Sequence, residues 1–563
     1  MIDLFAGLDP DQQRVVECVR GPVAVLAGAG TGKTRTITRR IAHGVHSGAY
    51  APERVLAVTF TRKAAGEMQG RLRALDVDGV RALTFHGAAL AQLGHFWPQV
   101  VGGDAPKVIG GKVATLAQVA EAQGLRLPSE TLRDVAAEIE WRKVSMLSLD
   151  RYAELLTGDA PRAVPTGITA EQLLELHRGY VALLGDRRQI DFEDVLLLMT
   201  GMLEAEPRVA LQVRERYRFF TVDEYQDVSP LQHALLRAWL GTRDEVCVVG
   251  DASQTIFSFA GATADYLLNF RHEYPNAREF RLERNYRSVE PIVRVANRLM
   301  RDRPGALTLQ AQRPSTDAPS APRVEWFATE ADEAAAVADE IAECVARGTP
   351  LHDVAVLYRS HAQSASLEAA LAARGLSHRV QGAQRYFDRA EIRQAIMLIR
   401  GQAKVADARP LFQIVTDLLG SLGWTVSPPE GAGARDRWQA LNGILSLVDA
   451  MGPATTIQQF SDELLIRARA HHEPTLDAVT LSAVHAAKGL EWPVVFLVGL
   501  SEGSFPISFA TTEEAIAEER RLAYVALTRA RDRLYLSGVA GTARSQRQPS
   551  RFLREVGLAP PAR

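Results

Sequence analysis

A stretch built to hold phosphate, AGAGTGKT from Ala27 to Thr34, is followed much later by a carboxylate pair, Asp223 and Glu224, in DEYQD. Glycines at 28, 30 and 32 let backbone N–H groups, together with those of Ala29 and Thr31, close on phosphate oxygens. Lys33 can then reach the terminal phosphates, and the Thr34 hydroxyl can join the shell of a Mg²⁺ ion. Only seven of the 65 basic residues are lysine, and one stands at position 33. A compact point charge suits such a cradle where a planar guanidinium does not. The first position of the common pattern, usually glycine, is Ala27 here. Of the two acids, Asp223 can hold Mg²⁺ and Glu224 can orient and deprotonate an attacking water.

The elements around these residues fit the chemistry. The apolar run PVAVL (Pro22 to Leu26) reads as a strand and TRTITRRIAHGV as a helix, so the loop ends at a helix N-terminus, where partial positive charge favours phosphate. Further β-branched runs, Val55 to Phe60, Tyr217 to Val222 and Glu245 to Val249, predict an α/β domain with a mostly parallel sheet over 1–88 and 190–278. The helix-patterned stretch 89–189, without comparable strands, reads as an insertion. A second set of strands, Arg323 to Phe327, Val354 to Tyr358, Val494 to Val498 and Arg533 to Leu536, predicts a second α/β domain over 279–389 and 475–557. A short helical insertion, 390–474, interrupts it. Arg301 to Pro322 reads as an exposed connector, Ser427 to Ala434 as a plain loop, His471 and His472 as loop surface, and the final GLAPPAR as a linker.

Composition narrows the classes. The 563 residues are 47% apolar and 23% charged, as in an ordinary globular protein of several domains. Cys18, Cys247 and Cys344 lie far apart without a CxxC, which argues against zinc, iron–sulfur or a disulfide framework and suits a reducing cytoplasm. No apolar run is long enough to span a membrane, and no membrane partner is expected. Net charge is −2, so a polyanion would need a local basic track.

The ordered set AGAGTGKT, TFTRKAAGEM (Thr59 to Met68), LTFHG (Leu83 to Gly87), VDEYQDVSPLQ, VVGDASQTIF (Val248 to Phe257), LERNYRS (Leu282 to Ser288), VHAAKGLEW (Val484 to Trp492) and EERRLAYVALTRA (Glu518 to Ala530) resembles the UvrD/Rep/PcrA superfamily 1 helicases. Within that family the details are most similar to its second, actinobacterial UvrD-type branch. The resemblance implies two RecA-like P-loop NTPase domains in tandem, each carrying a mainly helical insertion. It also implies a 3′-to-5′ single-stranded DNA translocase or helicase that uses ATP and Mg²⁺, acts at junctions of single- and double-stranded DNA, and serves repair. The alternative is a translocase that displaces proteins with little unwinding.

By the same resemblance, Gln12 would read adenine, Tyr286 would stack on the base, and Glu491 would hold the ribose. Arg35 would also touch the nucleotide. Gln254 would sense the γ-phosphate, which Arg287 would reach and for which Arg529 would serve as arginine finger. Phe60, Arg62, Phe85, His86, Phe257, Phe259, Arg359 and His485 would line the DNA path. Departures stand out: Asp9 replaces an asparagine, Phe259 a tryptophan, Ala260 an arginine, Arg62 an asparagine, Ala365 an arginine and Ala483 a threonine. With Lys33, Asp223 and Glu224 on one domain and Arg287, Glu491 and Arg529 on the other, the γ-phosphate would be a shared counter-charge whose loss lets the domains part.

Overall fold

The computed structural model describes residues 2–158, 162–314, 321–382, 386–405, 407, 409–427, 429, 432–452, 455–470, 477–542 and 545–558. It divides into two units, Met1–Gly28 with Gly32–Leu282, and Glu283–Arg563 with Ala29–Thr31.

In the first unit, six segments form one sheet: β1 (Val23–Ala27), β2 (Val55–Thr59), β3 (Arg81–Thr84), β4 (Phe219–Val222), β5 (Val246–Gly250) and β6 (Arg278–Leu282). Their order is β3-β2-β4-β5-β1-β6, and every pairing is parallel. Helices cover both faces, which is why β1, β2, β4 and β5 are nearly continuous apolar runs rather than alternating ones. In such a sheet the carboxyl ends of the strands carry the working loops. Helix α1 (Pro10–Glu17) precedes β1, and α2 (Lys33–His46) follows it.

Helix α3 (Phe85–Val100) spans the expected boundary at residue 88. Its Phe85, Ala88, Ala89, Leu93 and Phe96 pack into the core of the α/β unit. A separate core, running from Leu116 to Leu184, holds the helical insertion together. The insertion leaves and returns through a two-residue parallel ladder, Lys107–Val108 against Gln189–Ile190. It is also clipped by buried ion pairs. From α4 (Ser129–Val144), Lys143 Nζ lies 2.8 Å from Asp191 Oδ2 and 2.6 Å from Asp194 Oδ1, at the start of α5 (Phe192–Ala205). Lys112 Nζ meets Glu193 Oε2 at 2.6 Å. The DFED segment therefore joins insertion to domain.

The second unit repeats the plan with β7 (Arg323–Phe327), β8 (Val354–Tyr358), β9 (His378–Val380), β10 (Val479–Ala483), β11 (Trp492–Leu497) and β12 (Ala530–Val539), ordered β7-β12-β11-β8-β10-β9 and all parallel. Its insertion is a cluster of helices, Ala390–Gln402, Leu411–Gly420, Ala432–Met451 and Ile457–Ala470, with its own apolar core from Tyr386 to Leu464.

Two expectations need correcting. The connector after Arg301 contains a strand, Gln310–Arg313, parallel to Arg284–Val289. Asn297 fixes it by donating to the Leu309 carbonyl at 2.8 Å and accepting from the Leu309 N–H at 2.9 Å. The loop read at 427–434 ends earlier, because helix begins at Ala432. Positions 315–320, 428, 430 and 431, His471, His472 and 559–563 lie outside the described residues. Among the described residues no helix is long and apolar enough to cross a membrane.

Candidate active site

The phosphate loop grows from the carboxyl end of β1. Ala27 takes the place of the usual glycine because it is still in the strand, paired with Leu282, where a Cβ is no burden. Helix α2 starts at Lys33 with Gly32 as its N-cap at φ +78°, without a side-chain cap, so its first N–H groups are not spent on a capping side chain. A Cβ on Gly32 would come within 2.9 Å of Gln12 Nε2. Glycine is thus required both by the left-handed backbone and by Gln12. Gln12 is held there by a capping box: Asp9 Oδ1 accepts from Gln12 N–H at 2.9 Å, and Gln12 Oε1 accepts from Asp9 N–H at 3.2 Å. The Asp9 departure therefore preserves the cap. Lys33 Nζ donates to the Ala27 carbonyl at 3.2 Å, and the Arg35 guanidinium donates to the Ala6 carbonyl.

Strand β4 ends at Asp223 and Glu224. Asp223 is buried, and burial followed by the Glu224 charge raises its pKa to about 7 against the pull of Lys33. A buried carboxylate and the Thr34 hydroxyl are the hard oxygen donors that Mg²⁺ takes. Glu224 sits at φ +53°, a left-handed conformation costly for a residue with a Cβ. Its Oε2 accepts from Gln226 Nε2 at 2.5 Å. At the end of β5, Gln254 Nε2 donates to Asp251 Oδ2 at 2.7 Å, and both side chains are buried.

From the same edge of the sheet rises an aromatic strip. Phe60 stacks on Phe257 at 5.4 Å between ring centres, and Phe257 meets Phe259 edge-on at 6.1 Å. Phe60 is 44% and Phe259 64% exposed, far more than core packing leaves. Beside Phe60 opens a cavity of about 220 Å³ lined by Arg62, Thr84, His86 and Phe192, among others. Burial, with Lys112 nearby, lowers the His86 pKa to about 4, so the ring is neutral at pH 7. Phe85 does not join the strip. It is 5% exposed and stacks on Trp239 at 5.9 Å, because Thr84 caps the helix that begins at Phe85 and turns that ring into the core.

In the second unit, Tyr286 and Arg287 lie on the strand Arg284–Val289. The Tyr286 N–H donates to the Gly30 carbonyl at 2.9 Å, and Asn285 Nδ2 to the Ala29 carbonyl at 2.7 Å. Arg287 Nε meets Glu491 Oε2 at 2.5 Å, so the residues expected on γ-phosphate and ribose are here paired with each other. Arg529 is 1% exposed and donates to the carbonyls of Val525 and Leu490 and to Thr528 Oγ1. Arg287 also donates to the Thr528 carbonyl, which brings the two arginines to one residue.

Of two more residues expected on DNA, one is held by an ion pair and the other is uncharged. Arg359 gives its guanidinium to Glu519, with Nη2 to Oε1 at 2.7 Å and Nε to both oxygens. Burial, with Arg359 and Lys488 nearby, lowers the His485 pKa to about 4 and leaves it neutral. Gln226 and Asp251, which link Glu224 to the Gln254 turn, escaped the reading of the sequence. Their place inside DEYQD and GDASQ was the available signal.

Residues 8–275 match the UvrD/REP helicase N-terminal domain, and residues 280–427 with 438–540 the UvrD-like helicase C-terminal domain. The chain belongs to the UvrD/REP helicases of superfamily 1. Its two tandem RecA-like domains are those of the family, and membership makes it an enzyme, a nucleotide-driven helicase. Among relatives, it is 44% identical to the ATP-dependent DNA helicase UvrD2 of Mycobacterium tuberculosis, across all of this chain and 83% of that protein. Identity is 31% to UvrD1 of the same organism, across 98% and 85%. It is 27% to the ATP-dependent DNA helicase PcrA of Bacillus subtilis, across 98% and 86%.

Proposed function

We propose that the chain is an ATP-driven motor that travels 3′ to 5′ along single-stranded DNA and separates strands at junctions, in repair. The observation that carries this reading is the shared origin of loop, acids and aromatic strip at the carboxyl ends of one sheet. Exposed stacked rings grip any base at about 1 to 3 kcal/mol each, as a motor indifferent to sequence requires.

In this reading Lys33 binds the terminal phosphates, and Thr34 and Asp223 hold Mg²⁺, which when bound neutralises charge on the phosphate oxygens. The Glu224 carboxylate takes the proton of the attacking water, and Gln254 reports the γ-phosphate. Gln12, Tyr286 and Glu491 hold the nucleoside, with the loop amides of Gly28 to Gly32 and Arg35 beside them. Arg287 and Arg529 bring cations to the γ-phosphate, for which each must exchange its present partners. Phe60, Arg62, His86, Phe257 and Phe259 carry the strand, and His485 contributes as a neutral hydrogen-bonding group. The three buried thiols suit the cytoplasm.

ATPase activity that rises many-fold with single-stranded DNA, lost in Lys33→Ala and Glu224→Gln, is the expected result. Absence of stimulation overturns the reading. A second reading, a translocase that clears proteins but unwinds weakly, is favoured by the shortness of the second helical insertion. Streptavidin displacement from each end of a biotinylated oligonucleotide, set beside strand displacement on a tailed duplex, separates the two and reports polarity.

A further inference from the structure

We propose that Gln226 is a positioning residue that ties the candidate base Glu224 to the aromatic strip, so that DNA on the strip sets where the base points. The inference rests on the motor reading and deepens it, naming the residue through which DNA governs hydrolysis.

Gln226 is wholly buried and its amide is engaged at both ends. Nε2 donates to Glu224 Oε2 at 2.5 Å and to Asp227 Oδ2 at 3.1 Å. Oε1 accepts the backbone N–H of Asp251 at 3.0 Å. Asp251 in turn organises the next turn, its Oδ1 accepting from Ser253 N–H at 3.0 Å and its Oδ2 from Gln254 Nε2 at 2.7 Å. Three residues past Gln254 stands Phe257, stacked on Phe60. The route from ring to base thus runs through three residues of chain to Gln254 and from there through short, largely buried hydrogen bonds, with little slack to absorb a displacement.

Two further features fit a relay better than simple space filling. Glu224 holds a left-handed backbone, φ +53°, a strained conformation of the kind held where the surrounding structure fixes it, and Gln226 is one of its partners. Gly250, at the end of β5, lies so close that a Cβ there would sit 2.5 Å from Gln226 Oε1 and 3.1 Å from its backbone nitrogen. The strand has been left bare where this side chain crosses it.

The test compares the wild-type chain with Gln226→Leu, which removes both hydrogen-bonding ends, and Gln226→Met, which keeps the length of the side chain but cannot donate to Glu224. ATPase is measured with oligo(dT) at saturation, alongside KM for ATP, Kd for oligo(dT) and melting temperature. Both variants should lose about tenfold or more of the stimulated kcat, with KM and Kd within about twofold. Combined with Gln254→Leu, the loss should fall well short of the product of the single losses, as expected within one network. A stimulated kcat within about twofold of wild type in either variant, or losses that multiply, overturns the proposal. So does a rise in KM or Kd as large as the fall in kcat. Wild-type protein without DNA stimulation would instead sink the motor reading itself, which keeps the two failures distinct.

Discussion

Arg359 and Glu519, 160 positions apart, form a two-pronged ion pair in which the Glu519 carboxylate, 5% exposed, also accepts the Ile507 N–H at 3.0 Å. The pair anchors the helix Glu513–Leu527 to the end of β8. Arg359→Ala would leave a buried carboxylate without its cation. We expect a stability loss of about 3 kcal/mol in denaturant unfolding, with oligo(dT) affinity changed far less at temperatures where the variant is folded. A large loss of DNA affinity at unchanged stability would return Arg359 to the DNA path.

The clip at Lys143 should behave in the same sense. With two carboxylates within 2.8 Å, and Tyr180 donating to Asp191 at 3.0 Å, Lys143→Met strands buried negative charge. The expected cost is about 3 to 5 kcal/mol, and Lys143→Met with Asp191→Asn should recover part of it, since asparagine can still cap the helix. Chemical denaturation of the three proteins checks both.

His177 supplies the pH dependence. It stacks on Tyr152 at 5.0 Å, neither ring nitrogen has a hydrogen-bond partner among the described residues, and burial, with Arg142 and Lys143 nearby, holds its pKa at about 3. The unfolded chain takes up the proton near pH 6.5 while the folded one refuses it, so stability present above that pH is lost progressively as pH falls toward 3. By pH 5 the loss is about 2 kcal/mol from this residue. His177→Phe should flatten the decline measured between pH 7 and 5 without lowering stability at pH 7.

Neighbouring phenylalanines should divide by role. Phe259→Ala is expected to weaken oligo(dT) binding by about 1 to 3 kcal/mol and leave the melting temperature unchanged. Phe85→Ala, which empties a site against Trp239, should cost about 3 to 5 kcal/mol of stability and leave binding by the folded protein intact. Anisotropy and thermal melts distinguish them, and exchanged outcomes would reverse the two assignments.

Much of this was legible beforehand because parallel strands advertise themselves. VAVLA, VLAVT and VCVVG are unbroken apolar runs, and a glycine-rich turn between strand and helix needs no distant information. The part that was not legible depends on residues far apart. Nothing near Arg359 announces Glu519, and nothing in the polar QAQR announces a strand until Asn297 and the backbone beside Glu283 are seen to hold it. Phe85 and His86 are adjacent in one motif, and only the position of the Thr84 cap decides which of them faces inward. Gln226 was overlooked for a similar reason: its importance lies in Asp251, on another strand end.

The helical cluster over 390–470 keeps an apolar interior of its own, distinct from the one beneath β7 to β12. An appendage that is self-sufficient in this way can be lengthened, trimmed or exchanged over evolutionary time without disturbing the engine that bears it. Its outline can therefore change while the packing beneath β7 to β12 is left as it is.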